Sequence, residues 1–225
     1  MPIYNAPLAD MKFILNDVFN ADQFWQSNEN LAHVDSATAE AILEEMAKFA
    51  QNVTLPLNRT GDEEGATFSN GAVTTPAGFK EAFKQYAEGG WIGLAADEEW
   101  GGQGMPKMLT VLADEMLFAT NPSFMLYPLL SVGAGMALNS YASQEQKETY
   151  LPKIYSGEWS GTMCLTEPHA GTDLGIIKTK AERNEDGTYN ITGTKIFITG
   201  GDHDLAENII HLVHVVFHYS SYLNS

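Results

Sequence analysis

The sequence predicts an α+β protein, an all-α N-terminal block followed by the start of an antiparallel β domain. Three observations carry this. Up to about residue 160, apolar residues recur three and four apart, as they do along one face of a helix. After Gly161 the pattern changes to alternation, the period of a strand. Asp186-Gly187, set between two alternating segments, is a hairpin turn signal. The expected division is an N-terminal extension over 1–34, a helical domain over 35–160 and an incomplete β domain over 161–225.

The first residues, Tyr4 to Leu15, contain Pro7 and then close-set apolar side chains, which predicts an extended arm leading into a short segment packed on the body. Leaving Met11, Phe13, Ile14 and Leu15 in water would be costly. Asp35 or Ser36 is an N-cap for a helix whose stripe is Ile42, Met46, Phe49 and Val53, and Pro56 should bend or end it. The stretch from Gly61 to Gly71 reads as a solvated connection. Thr75-Pro76 opens the next helix, with Phe79, Phe83 and Tyr86 on one face and Gly89-Gly90 as its stop.

Gly101-Gly102-Gln103-Gly104 invites a nucleotide-loop reading, but Met105-Pro106-Lys107 follows. The third glycine of a dinucleotide fingerprint is absent, as is a Lys-Ser/Thr pair, so a structural turn is expected. Pro106 begins a helix carrying Leu109, Leu112, Met116 and Leu117. Asp114 and Glu115 diverge on it by about 100°, which suits a solvated face better than a carboxylate pair. The nearly uncharged stretch from Asn121 to Tyr141 predicts a helix buried on several sides. Ser143 with Gln146 forms a capping box for a last helix ending at Gly157. Beyond it, strands are expected over 176–182, 188–192 and 195–199.

Composition narrows the function. A net charge of −17 argues against nucleic acid or an anionic membrane as partner, since both demand clustered Lys and Arg. One cysteine, Cys164, excludes an internal disulfide and suits a reducing, cytoplasmic setting. No apolar run approaches the ~18–20 residues of a membrane helix. His211, His214 and His218 would share a face only in a helix, and no carboxylate or thiol completes the set, so no metal is expected.

The chemistry concentrates in two runs, Cys164-Leu165-Thr166-Glu167-Pro168-His169-Ala170-Gly171-Thr172-Asp173 and Lys195-Ile196-Phe197-Ile198-Thr199-Gly200-Gly201. Each is a strand-like stretch running into a turn of glycine and hydroxyls, which suits a polar heterocycle and its phosphates. These runs resemble the signatures of the acyl-CoA dehydrogenases, flavin enzymes that desaturate acyl thioesters. The first matches the pattern small, aliphatic, Ser/Thr, Glu, two variable positions, small, Gly, Ser/Thr, Asp. Ile176 departs from it, standing where a small residue is usual. The resemblance extends to the N-terminal arm, whose Ala-Pro-Leu and Asp-Met-x-Phe are similar to a long bacterial branch of the family.

The resemblance implies a parent enzyme that uses FAD, with an acyl-CoA as substrate, electron-transferring flavoprotein as acceptor and a homo-oligomeric state. Flavin contacts are implied for the backbone at Met163 and Leu165, the Thr166 hydroxyl, Thr172, Phe197 beside the ring, Ile198, and Thr199 toward flavin N5. Thr172 would also meet the CoA arm. Each has a structural alternative: the threonines can cap turns and Phe197 can pack in the sheet. Glu167 and Asp173 are expected to organise their turn rather than act as bases, and His169 to face solvent. Met125, Leu126, Leu129 and Leu130 would wall an acyl pocket or simply fill the core. The family's catalytic carboxylate comes from a C-terminal helical domain, so no catalytic residue is expected within this chain. The pattern fades near Leu212 or Val213, and the chain is expected to be a truncated part, inactive alone. The alternative is a non-catalytic, self-associating helical module, because an incomplete sheet leaves open edges and apolar surface.

Overall fold

Two short helices, α1 (Leu8–Phe13) and α2 (Ala21–Gln26), form the N-terminal arm, joined by a wide turn of π type over Ile14–Val18. The arm packs in part as expected: Met11, Leu15 and Trp25 are buried, and Lys12 pairs with Glu40 and Glu44 at 2.9 Å each, but Phe13 and Ile14 remain exposed. The computed structural model describes residues 3–217. The expectations for the tail beyond Phe217, His218 among them, lie outside the described residues.

Helix α3 (Ser36–Phe49) starts at the predicted cap, the Thr38 N–H donating to Asp35 Oδ1 at 2.7 Å. Its deepest residues are Ala39, Leu43, Met46 and Ala47, while Ile42 and Phe49 are half-buried. Pro56 does not stop the chain. A π turn over Ala50–Thr54 carries it into α4 (Leu55–Glu64), where Pro56 sits in the first turn and its missing N–H costs nothing. Thr54 fixes the turn, its hydroxyl 2.7 Å from that of Thr120 and its carbonyl bonded to Asn121.

The expected connection from Gly61 to Gly71 is instead the end of α4 and a hairpin of β1 (Thr67–Ser69) and β2 (Ala72–Thr74). Asn70 and Gly71 both have positive φ, 52° and 82°, the turn that Asn-Gly favours. Helix α5 (Phe79–Glu88) begins three residues later than predicted. Thr75 is drawn away from capping, its N–H and hydroxyl both donating to Asp204 Oδ1 at 3.0 and 2.7 Å. Phe79, Phe83 and Tyr86 are buried as predicted.

The Gly-rich stretch is a structural turn. Gly102, Gln103 and Gly104 donate to the carbonyls of Asp97, Gly93 and Ala96, and a Cβ at Gly102 would lie 2.1 Å from the Ala96 oxygen. Helices α6 (Lys107–Thr120), α7 (Pro122–Tyr141) and α8 (Gln144–Tyr155) complete the block, the last with its capping box formed. The rings of Phe49, Phe79, Tyr86 and Phe124 meet at 5.6–6.5 Å in its centre. Asp114 is not a plain solvated residue: burial pushes its carboxyl up to about 6, with Lys107 opposing.

The remainder is sheet, but its pairing is mixed rather than antiparallel. Strand β3 (Trp159–Cys164) runs parallel to β6 (Asn208–Val213), and β4 (Lys180–Arg183) pairs antiparallel with β5 (Tyr189–Thr192) and parallel with β7 (Val216–Phe217). The long excursion between β3 and β6 returns the chain to the helical block, so both strands leave it in one direction. Among the described residues of this part, the Asp186-Gly187 hairpin is the one strand pair with the expected antiparallel form. The segment 176–179 and the segment 195–199 are not strands.

Candidate cofactor site

Strand β3 is seated on α7 through small residues. The Gly161 N–H donates to Ser131 Oγ at 3.1 Å, and a Cβ at Gly161 would lie 2.5 Å from that of Ala134. Past Cys164 the chain enters a tight turn in which Glu167 and Ala170 exchange backbone hydrogen bonds of 2.9 and 3.1 Å. The Glu167 side chain folds inward, 3 % exposed. It accepts the N–H groups of Lys178 and Thr179 at 2.7 and 2.9 Å and the Lys195 ammonium at 2.9 Å. Hydrogen bonding by Thr179, followed by the Lys178 N–H and the Lys195 ammonium, holds this carboxyl well below the usual carboxylate range against the opposing effect of burial. Glu167 therefore organises its turn, as does Asp173, whose Oδ1 accepts the Gly175 N–H.

The second run is fastened to the first. The Ile196 N–H donates to the Thr166 carbonyl at 2.9 Å, and Lys195 Nζ reaches the Leu165 carbonyl at 2.9 Å besides Glu167. These contacts replace a ladder, which is why 195–199 is not a strand. Gly193 permits the approach: a Cβ there would lie 2.3 Å from Thr179 Oγ1.

Beyond Thr199, Gly200 turns at φ 61° against the Tyr127 ring. Asp202 Oδ2 then accepts the Val73 N–H at 2.9 Å, while Asp204 holds Thr75. Between them His203 is buried, Nδ1 accepting the Leu205 N–H at 3.1 Å and Nε2 2.9 Å from Ser160 Oγ. With Nδ1 an acceptor, the ring is neutral and Nε2 carries the proton. Burial holds its pKa below the ordinary value, with His211 acting the same way and Asp202 and Asp204 opposing.

The two runs thus lie edge to edge at Thr166 and Ile196. Met163 and Thr199 are exposed, Leu165, Thr166 and Ile198 half-buried, and Thr172 exposed on the outer arm of the first turn. Gly171 folds that arm back toward Thr166, its would-be Cβ 3.8 Å from Thr166 Cγ2. Phe197 is not a sheet-core residue: it is 89 % exposed and has a left-handed backbone, φ 57°. Strain of this kind on a bulky residue concentrates at ligand sites. Among the described residues the hydroxyls of Thr166, Thr172 and Thr199 have no hydrogen-bond partner, nor has the Thr166 N–H. Open hydroxyls and one free N–H beside an outward aromatic face fit the edge and plane of an isoalloxazine ring.

His169 is partly exposed but engaged, Nε2 lying 3.0 Å from the Ile176 carbonyl and 3.5 Å from Glu167 Oε2. On α7, Met125 is core, Leu126 points outward and Leu129 and Leu130 are half-buried. His211 lies on β6 with Nδ1 2.6 Å from Thr162 Oγ1. Sequence reasoning gave no role to Lys195 or to the Asp202-His203-Asp204 clamp. A buried glutamate calls for a cation, but which lysine answers it is decided by a pairing 28 residues away.

Fold and site together define an α+β protein in which a helical block seats the first strand of a mixed sheet, with a pair of locked, hydroxyl-bearing turns beyond that strand. The chain belongs to the acyl-CoA dehydrogenase family. The profile of the acyl-CoA dehydrogenase N-terminal domain matches residues 36–158 and that of the middle domain residues 162–215. It is 43% identical over 210 residues to a 3-methylmercaptopropionyl-CoA dehydrogenase of Ruegeria pomeroyi, covering 93% of this chain and 36% of that protein. A butyryl-CoA dehydrogenase of Syntrophomonas wolfei is 37% identical over 93% of this chain and 35% of its own length. The chain therefore spans about a third of the length of these relatives. Among solved structures, an acyl-CoA dehydrogenase of Bacillus anthracis complexed with FAD superposes with a TM-score of 0.68 at 26% identity, over 83% of this chain and 30% of that one.

Proposed function

We propose that the chain is the helical and flavin-holding part of an FAD-dependent acyl-CoA dehydrogenase. The carrying observation is the hydrogen bond from the Ile196 N–H to the Thr166 carbonyl, which sets two hydroxyl-bearing turns side by side. In this reading Met163, Leu165 and Thr166 meet the pyrimidine edge of the flavin through backbone and hydroxyl. Phe197 and Ile198 flank the ring, Thr199 faces N5, and Thr172 contacts the pyrophosphate and the CoA arm. When bound, FAD supplies the hydride acceptor for α,β-desaturation of an acyl thioester. The residues named here hold and orient the ring; none of them is assigned as the base that takes the α-proton.

The domain division that goes with this reading is 1–34, 35–160 and 161–225. The substrate class is acyl-CoA, the acceptor electron-transferring flavoprotein, the assembly a homo-oligomer and the location the cytoplasm. No helix of the described residues is long and apolar enough to cross a membrane. The test is direct: the purified chain is titrated with FAD and quenching of flavin fluorescence is followed. Saturable quenching that Thr166→Val and Thr199→Val each weaken about tenfold supports the assignment, and no quenching defeats it.

A second reading, a self-associating helical module without catalysis, is favoured by one feature. Ile14, Leu15, Phe19, Phe24, Met108 and Val111 line an apolar groove of about 590 Å³ between the arm and α6. Sedimentation that returns a strict monomer at all concentrations removes this reading.

A further inference from the structure

We infer that Lys195 is a positioning residue that polarises the peptide between Leu165 and Thr166, and so sets how strongly that peptide's N–H favours the reduced form of a bound flavin. The inference rests on the flavin reading above and goes beyond it, since it assigns a role in redox tuning to a side chain that does not touch the ring.

The geometry is specific. Lys195 Nζ donates to the Leu165 carbonyl at 2.9 Å. At the other end of the same planar peptide unit is the Thr166 N–H, which has no partner among the described residues. Withdrawing electron density from the oxygen of an amide makes its N–H a stronger donor, because the two are conjugated. Lys195 is a poor candidate for a plain surface cation. Its side chain is 9 % exposed, its second contact is Glu167 at 2.9 Å, and Glu167 is itself fixed by two backbone N–H groups. The ammonium is therefore held on the carbonyl by a carboxylate that cannot swing away. A charge-assisted hydrogen bond in a low-dielectric setting is stronger than a neutral one.

The chemical consequence follows from where charge develops. Reduction of a flavin places negative charge along its pyrimidine edge, the edge assigned here to Leu165 and Thr166. A donor strengthened by Lys195 binds that form better than the oxidised form, and the difference appears as a higher midpoint potential. Glu167 opposes through its own charge, but its oxygens are engaged by three donors.

The experiment uses the full chain. The Thr166 amide proton is assigned by NMR without flavin, and the FAD midpoint potential is measured by dye equilibration for the native chain, Lys195→Gln and Lys195→Arg. Lys195→Gln is expected to move the Thr166 amide proton upfield. It is also expected to lower the preference for reduced flavin about tenfold, which for a two-electron couple is about 30 mV, while Lys195→Arg keeps most of both signals. Should Lys195→Gln lose its helical circular dichroism, Lys195→Arg with the Glu167→Gln/Lys195→Gln pair replaces it. That pair keeps the hydrogen-bonding shape without the charges and is expected to show the same upfield amide shift and lowered potential. An unmoved Thr166 amide, or a Lys195→Gln protein that binds FAD with the native potential, overturns the inference and leaves the flavin reading intact. A native chain that takes up no FAD overturns both.

Discussion

The helical block and the sheet are held by different means. In the block, Trp25, Leu43, Met46, Phe83, Met116 and Phe124 are all under 2 % exposed and interlock around four aromatic rings. In the sheet, Met163, Ile191 and Phe217 are about half exposed, and order comes from polar fastenings: Glu167 to Lys195, Asp204 to Thr75, His203 to Ser160. Apolar burial holds the block together, whereas the sheet depends on a few directed contacts. The hydroxyl-bearing turns lie on the less deeply packed half, where ligand-binding segments are commonly found.

The sharpest way to break this contrast is Phe124→Ala. The substitution empties the centre of the aromatic cluster, so a loss of about 3–5 kcal/mol is expected by chemical denaturation. If the loss is below 1 kcal/mol, the block is not the stable half. Next in size is the pH response of the two halves, which have opposite signs. Asp114 has a folded pKa of about 6, above its unfolded value, so its favourable contribution is complete below about pH 4 and is lost as pH rises through 6. Asp114→Asn should therefore stabilise the protein at pH 7.5 by about 1–2 kcal/mol, allowing for solvent screening at a half-buried site.

His203 runs the other way. Its folded pKa lies below the unfolded value of about 6.5, so its contribution is complete above that pH and drains away as pH falls through the folded value. Hydrogen exchange should show the Leu205 and Thr75 amides losing protection on acidification, while those of α3 and α6 keep theirs. Loss in both halves together would mean one cooperative unit. The smallest effect is Ser143→Ala, which removes a cap on α8 and should cost about 1 kcal/mol, read as a lower Tm of the helical transition alone.

Much of the block was legible because its signals are local. The cap at Asp35, the capping box at Ser143 and Gln146, the glycine stop after α5 and the face of Phe79, Phe83 and Tyr86 all lie within a few residues of what they control. The start of α5 is not legible locally, because Thr75 answers to Asp204, 129 residues away. The Asn70-Gly71 hairpin leaves little trace in the pattern, because its strands are three residues each, too short for alternation to register. The two turns were legible as a motif, but not what locks them: neither Lys195 on the Leu165 carbonyl nor the parallel course of β3 and β6 has any signature in neighbouring residues.

That parallel course also bears on how the protein reaches its native state. Ser160 and His203 are 43 positions apart and Thr162 and His211 are 49, so β3 cannot find β6 by zipping from a hairpin. The intervening segment must be enclosed first, an entropic toll that rises with its length and is recovered only once the pairing is complete. Refolding is expected in two kinetic phases, a fast one from the helices and a slower one ending with the closure that brings the two turns together.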